Sequence, residues 1–271
     1  MLSVLRRVGA HPRLEPYVAA GLRSRAVRPS LPFFAGEARS RGARDYVVRA
    51  NGAPIHIEHG TTDAGTMDQA FVQQVYEPSA AAEAAVRALG RPPVVLDAGA
   101  NIGMFSIWAS RRWPGCRAIA VEPLPRNIAL LERNLALALP AGTYEVVPAA
   151  ATTADGEVTF GGGAFTNGRV LDGGEPASDS VTVPARDLFA LTDGVDVLKL
   201  DIEGGEWPIL ADPRFSAALA PVIMLEHHPM NAPAGATPEV SAETLLERAG
   251  YVAERTVTEF AGAGILWGVR R

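Results

Sequence analysis

Asp201, Glu203 and Glu206 follow the strand-like stretch 195–200 within six positions. Further on, an apolar run, 222–225, ends in Glu226-His227-His228. Carboxylates and imidazoles gathered at the ends of such stretches are groups that can take a proton from a reacting atom. If the two stretches are neighbouring strands of a parallel sheet, their carboxyl ends form one crevice, and Asp201, Glu203 and one histidine face it. The structural alternative has Asp201 capping a helix and Glu206 in solvent.

A third segment suggests what else the crevice holds. At 94–106 an apolar run ends in Asp97, passes Gly99, Asn101 and Gly103, and continues as an apolar-rich helical stretch. This strand, tight loop and helix start is the geometry in which open α/β sheets seat a ligand. Gly99 and Gly103 permit positive φ and close backbone approach. Asn101 sits near the free N–H groups of the new helix, which favour an anionic group. The spacing is G-x-x-x-G, not the dinucleotide pattern G-x-G-x-x-G, and no lysine accompanies it. A carboxylate-bearing ligand suits this loop better than a pyrophosphate. Twenty-five residues after Asp97, the run 118–121 ends in Glu122, where doubly wound folds hold a ribose diol.

The segments DAGANIGMFS (97–106), VEPLPRN (121–127), VDVLKLDIEGGEWPIL (195–210) and MLEHHP (224–229) resemble the FkbM family of S-adenosylmethionine-dependent methyltransferases. The resemblance runs in order from about 61 to 271, and its most specific piece is 199–206. It implies transfer of a methyl group from S-adenosylmethionine to a hydroxyl oxygen of a small natural product or sugar. Asp97, Gly99, Asn101 and Gly103 would then hold the methionine end and Glu122 the ribose. Ala150 lies where such folds hold the adenine, and Asp201 borders donor and acceptor alike. Methyl transfer is an in-line displacement, in which orientation is worth ~7–11 kcal/mol and a general base ~10²–10⁴-fold. His227 or His228 is the expected base, oriented by Glu226 or Asp201, with Glu203 beside them. In a rival version Asp201, Glu226 and a histidine hold a divalent cation that acidifies the hydroxyl. Other readings are an N-methyltransferase at the same site, a nicotinamide oxidoreductase (whose glycine spacing is absent), and a binding protein without catalysis.

Composition sets the frame. At 271 residues with 48% hydrophobic side chains, the chain can build one α/β domain with an extension. A net charge of −5 argues against a broad basic surface for nucleic acid. One cysteine, Cys116, excludes an internal disulfide and fits a reducing compartment, so a cytoplasmic location is expected. No run of eighteen apolar residues is present, so no membrane span is expected. Lys199 is the only lysine among basic residues that are otherwise arginine. Oligomeric state is not legible.

The expected architecture is a Rossmann-like class I methyltransferase, α/β, with a seven-stranded mostly parallel sheet, an antiparallel C-terminal strand and helices on both faces. Residues 1–78 form an extension and lid-like segment, and 79–271 the catalytic domain. A glycine-rich stretch at 161–180 is expected as an exposed hairpin or loop.

Overall fold

The computed structural model describes residues 15–161, 169–170, 180–216, 219–258 and 263–271. The chain separates into two compact units, Met1–Gln74 and Val75–Arg271.

The first unit contains α1 (Glu15–Ser24), β1 (Val27–Arg28), α2 (Ser30–Arg39), β2 (Ala43–Val48), β3 (Pro54–Glu58) and α3 (Asp63–Asp68), which runs on as a π-helical turn through Gln73. The three strands form an antiparallel sheet, with a turn at Asn51-Gly52 joining β2 to β3. Phe33 of α2 is fully buried, edge-on to Tyr46 and His59. His59 is held between the Tyr46 hydroxyl and Glu37 at 2.7 and 2.6 Å.

The second unit opens with α4 (Ala80–Ala88), capped by the Ser79 side chain. There follow β4 (Val94–Ala98), α5 (Met104–Arg112), β5 (Arg117–Val121), α6 (Pro125–Ala138) and β6 (Tyr144–Val147). Then come β7 (Ala150–Thr152), β8 (Gly156–Gly161), β9 (Arg169–Val170) and β10 (Val181–Asp187). The unit continues with β11 (Val197–Leu200), α7 (Glu206–Ala211), β12 (Val222–His227), α8 (Pro238–Arg248), β13 (Tyr251–Thr258) and β14 (Gly264–Arg270). Seven strands form the main sheet in the order β13-β14-β12-β11-β4-β5-β6. β4, β5, β6, β11 and β12 run parallel, and β14 is antiparallel to both of its neighbours. A smaller sheet, β7-β10-β8-β9, carries the excursion between β6 and β11. Most of the expected loop at 161–180 (162–168 and 171–179) lies outside the described residues.

The two faces of the main sheet follow from the period-two alternation of strands. Leu96, Leu198 and Ile223 lie in register on one face and pack with Trp207, Ile209 and Leu210 of α7 and Ala242 and Leu246 of α8. Each fully buried Leu or Ile contributes ~1.5–3 kcal/mol. Asp97, Lys199 and Met224 are in register on the opposite face, where Lys199 lies over the ring of Phe105 from α5. Just ahead of β11, the Asp196 amide donates to the Val94 carbonyl at 2.9 Å and its carbonyl accepts from the Val222 amide at 3.1 Å. The Asp196 carboxylate also accepts from the Val94 amide and from both terminal nitrogens of Arg91. β12 outruns the expected 222–225 because Glu226 and His227 pair with Ile265 and Gly264 of β14.

Candidate active site

β4 ends in a loop that folds back over the tip of β5. The Gly99 and Ala100 amides both donate to the Val121 carbonyl, at 3.0 and 2.9 Å. Asn101 turns left-handed (φ 50) and its amide donates to Glu122 at 2.9 Å. The other Glu122 oxygen accepts from the Leu124 amide and the Asn127 side chain, at 3.0 and 3.2 Å. Burial pushes the Glu122 carboxyl up and these donors pull it back, leaving it above its ordinary value. Gly99 has φ 78, and a Cβ there would overlap the Asp201 carbonyl; only glycine lets the two strand tips meet.

At the tip of β11, the chain turns through Glu203 (φ 54) and Gly204 (φ 91) into α7. Glu206 folds back into this turn and is fully buried, in contrast to the solvated alternative. It accepts from the amides of Gly204 and His228 at 2.8 Å each, and it lies 3.1 Å from His228 Nδ1. That contact aims His228 Nε2 at three further carboxylates: Glu203 at 3.6 Å, Glu226 at 3.7 Å and Asp201 at 4.0 Å. Burial alone would lower the His228 pKa, but Glu206, Asp201 and Glu203 outweigh it and raise it to about 10. At neutral pH His228 is therefore an imidazolium. Burial raises the Glu203 carboxyl above its ordinary value, although His228 opposes this. Asp201, Glu203 and His228 each offer a ligand atom within 4.8 Å of the others, a set of the kind that binds a divalent cation.

Between these two clusters lies a cavity of about 750 Å³, within the ~300–1,000 Å³ range of small-molecule sites. Gly99, Asn101 and Glu122 line one part of it, Asp201 and Glu203 another, and Ala150 and Ala151 a small-residue wall. Of the expected site residues, the structure thus brings Gly99, Asn101, Glu122, Ala150, Asp201 and Glu203 around one space. His228 reaches it through Asp201 and Glu203, and Glu226 lies beside His228 Nε2.

Three expected residues sit elsewhere. Asp97 is fully buried, because strand alternation turns it onto the α5 face. There it accepts from Ser106 at 2.7 Å and lies 3.1 Å from Lys199 Nζ. Gly103 (φ 88) faces Leu131 and Leu135 of α6 and serves helix packing, not the cavity. His227 is turned by the same alternation toward α8. Burial lowers its pKa, against the opposing charge of Glu239, and its Nδ1 has no hydrogen-bond partner. Glu206 and Lys199 were the residues whose roles the sequence left open. Their signal was position alone: both fall inside the motif at 199–206.

The donor set discriminates among ligands. Three carboxylates line the cavity, and none of the described lining residues is Lys or Arg. A dinucleotide pyrophosphate would meet repulsion there, whereas a cationic nucleoside with a ribose diol would meet complementary charge. Glu122 has accepted three donors, leaving a carboxylate with room for about one more, the requirement of a ribose hydroxyl. S-adenosylmethionine, with its sulfonium, ammonium and diol, fits this set.

Residues 97–253 match the family model described as the methyltransferase FkbM domain. Methyltransferase sdnD of Sordaria araneosa is 49% identical over 45 residues, which is 17% of this chain and 17% of that protein. The antimetabolite synthetase AmbE of Pseudomonas aeruginosa is 44% identical over 71 residues, 26% of this chain and 3% of that protein. The matched stretches therefore span a small part of these relatives' lengths. Among solved structures, magnesium protoporphyrin IX methyltransferase (ChlM) of Synechocystis with bound SAM has a TM-score of 0.42 at 16% identity, covering 77% of this chain and 81% of that one. The precorrin-6y C5,15-methyltransferase of Geobacter metallireducens has a TM-score of 0.41 at 20% identity, covering 70% and 86%.

Proposed function

Because the chain belongs to the FkbM family of methyltransferases, we propose that it moves a methyl group from S-adenosylmethionine to a hydroxyl oxygen of a small natural product or sugar. One observation carries the reading: Gly99, Asn101 and Glu122 share a single acidic cavity with Asp201 and Glu203. The name of AmbE, an antimetabolite synthetase, supports a small natural product as the acceptor.

When bound, S-adenosylmethionine supplies an electrophilic methyl on a sulfonium. Gly99 and Asn101 bind its amino-acid end, Glu122 takes a ribose hydroxyl, and Ala150 gives the flat base an unobstructed wall. Asp201 and Glu203 orient the acceptor and exclude bulk water from the line of attack, the larger share of the rate. His228 keeps its proton at neutral pH, so the acceptor proton goes to a carboxylate. Glu203 takes it, because burial holds its carboxyl above the ordinary carboxylate value.

Calorimetric titration with S-adenosylhomocysteine tests the donor, and a labelled-methyl screen of hydroxylated and aminated compounds tests the acceptor. Absence of binding overturns the donor assignment, and label found only on nitrogen overturns oxygen methylation. Turnover that survives a chelator removes the divalent-cation version of the Asp201-Glu203-His228 cluster.

A further inference from the structure

Lys199 is the chain's only lysine, and it is 2% exposed. Its ammonium donates one hydrogen bond, to the Gly99 carbonyl, and lies in ion-pair range of two carboxylate oxygens. The Gly99 carbonyl lies at 2.7 Å, Asp97 Oδ1 at 3.1 Å and Asp201 Oδ2 at 3.2 Å. Two of these partners, Gly99 and Asp201, line the cavity at different places. The third, Asp97, is fully buried and reaches no ligand.

We propose that Lys199 is a positioning residue that ties the donor-gripping loop to the acceptor-facing carboxylate, so that seating the donor sets the orientation of Asp201. The inference rests on the donor and acceptor reading of the cavity. The path is short and stiff. The Asp201 amide donates to the Ala98 carbonyl at 3.2 Å, and the Asp201 carbonyl packs where a Gly99 side chain would be. Any shift of the Gly99 peptide therefore moves the oxygen that Lys199 holds, and the same ammonium grips Asp201 Oδ2. This leaves Asp201 Oδ1 turned toward His228. Asp97 explains how a cation can stand next to a site for a cationic ligand. One buried carboxylate cancels the ammonium, so the field that Asp201 sends into the cavity stays negative. A lysine serving packing alone would need neither the loop carbonyl nor a carboxylate that reaches the cavity.

A single lysine makes the test direct. Protein grown on lysine carbon-13 labelled at Cε gives one side-chain Cε correlation, read with and without saturating S-adenosylhomocysteine. The expected result is a displacement larger than the linewidth in the wild type, cut by at least half in Asp201→Asn. Lys199→Met should weaken S-adenosylhomocysteine binding at least tenfold by calorimetry. Adding Asp201→Asn to it should cost less than Asp201→Asn costs alone, because the link is already cut. A Cε signal that does not move while calorimetry reports binding overturns the proposal, as does Lys199→Met affinity within twofold of wild type. If Lys199→Met does not fold, the wild-type and Asp201→Asn signals still decide. Wild-type protein that binds no S-adenosylhomocysteine overturns the donor reading and this proposal with it, a result distinct from binding without displacement.

Discussion

Glu122 serves two masters at the level of a single side chain. It already accepts from Asn101, Leu124 and Asn127, which shapes the loop, and its remaining capacity faces the cavity. Glu122→Ala is expected to weaken S-adenosylhomocysteine binding more than tenfold by calorimetry, the scale of a charge-assisted hydrogen-bond pair. Unchanged affinity would restrict Glu122 to the loop. His228 makes a pH prediction. Its folded pKa is raised to about 10 from the usual 6.5, so the stability it contributes is complete below 6.5 and lost as pH rises through 10. Thermal melts should show stability falling between pH 6.5 and 10, and His228→Gln should flatten that fall. A wild-type profile that is flat in this window would mean that His228 is not charged. Strand tips that gather Asp201, Glu203 and Glu226 could be read from sequence because strand-like stretches end there. The face to which Asp97 or His227 turns could not. Parallel strands are buried on both sides, so their apolar runs carry no alternation to mark which side is which.

Among the elements, the loop joining β4 to α5 is the least tolerant. Gly99→Ala meets both a left-handed backbone and the Asp201 carbonyl. Gly90 provides the control: its φ is 64, with nothing within 4 Å of an added Cβ. Chemical denaturation should show Gly90→Ala losing ~1–2 kcal/mol, the cost of the left-handed conformation alone. Gly99→Ala should lose clearly more, and equal losses would mean that the tips of β4 and β11 do not meet. The order of strand, glycine turn and helix was legible because glycine and the change of hydrophobic period mark it. The reach of β12 to His227 was not, since it depends on pairing with β14, some forty residues away. Nor was the inward fold of Glu206, which rests on the left-handed turn at Glu203-Gly204.

For the molecule as a whole, an acidic cavity in a chain of net charge −5 should select cations over polyanions. A ligand at 100 times its dissociation constant adds ~2.7 kcal/mol to stability. In a domain of this size that raises the melting temperature by roughly 5–10 °C. S-adenosylhomocysteine should produce such a rise and NADH at equal concentration none, read by differential scanning fluorimetry. A matching rise with NADH would restore the nicotinamide reading.

The seating of β14 bears on how such a chain is born. Residues 264–270 come after β13 in the chain yet lie between β13 and β12 in the sheet. On the ribosome, β12 and β13 therefore emerge with no strand to join them, and β12 keeps an open edge until residue 270 has been made. An open edge invites pairing with another chain. β14, made after β13, is the strand that closes it, and a stall just upstream of Gly264 would release a form with that edge still open.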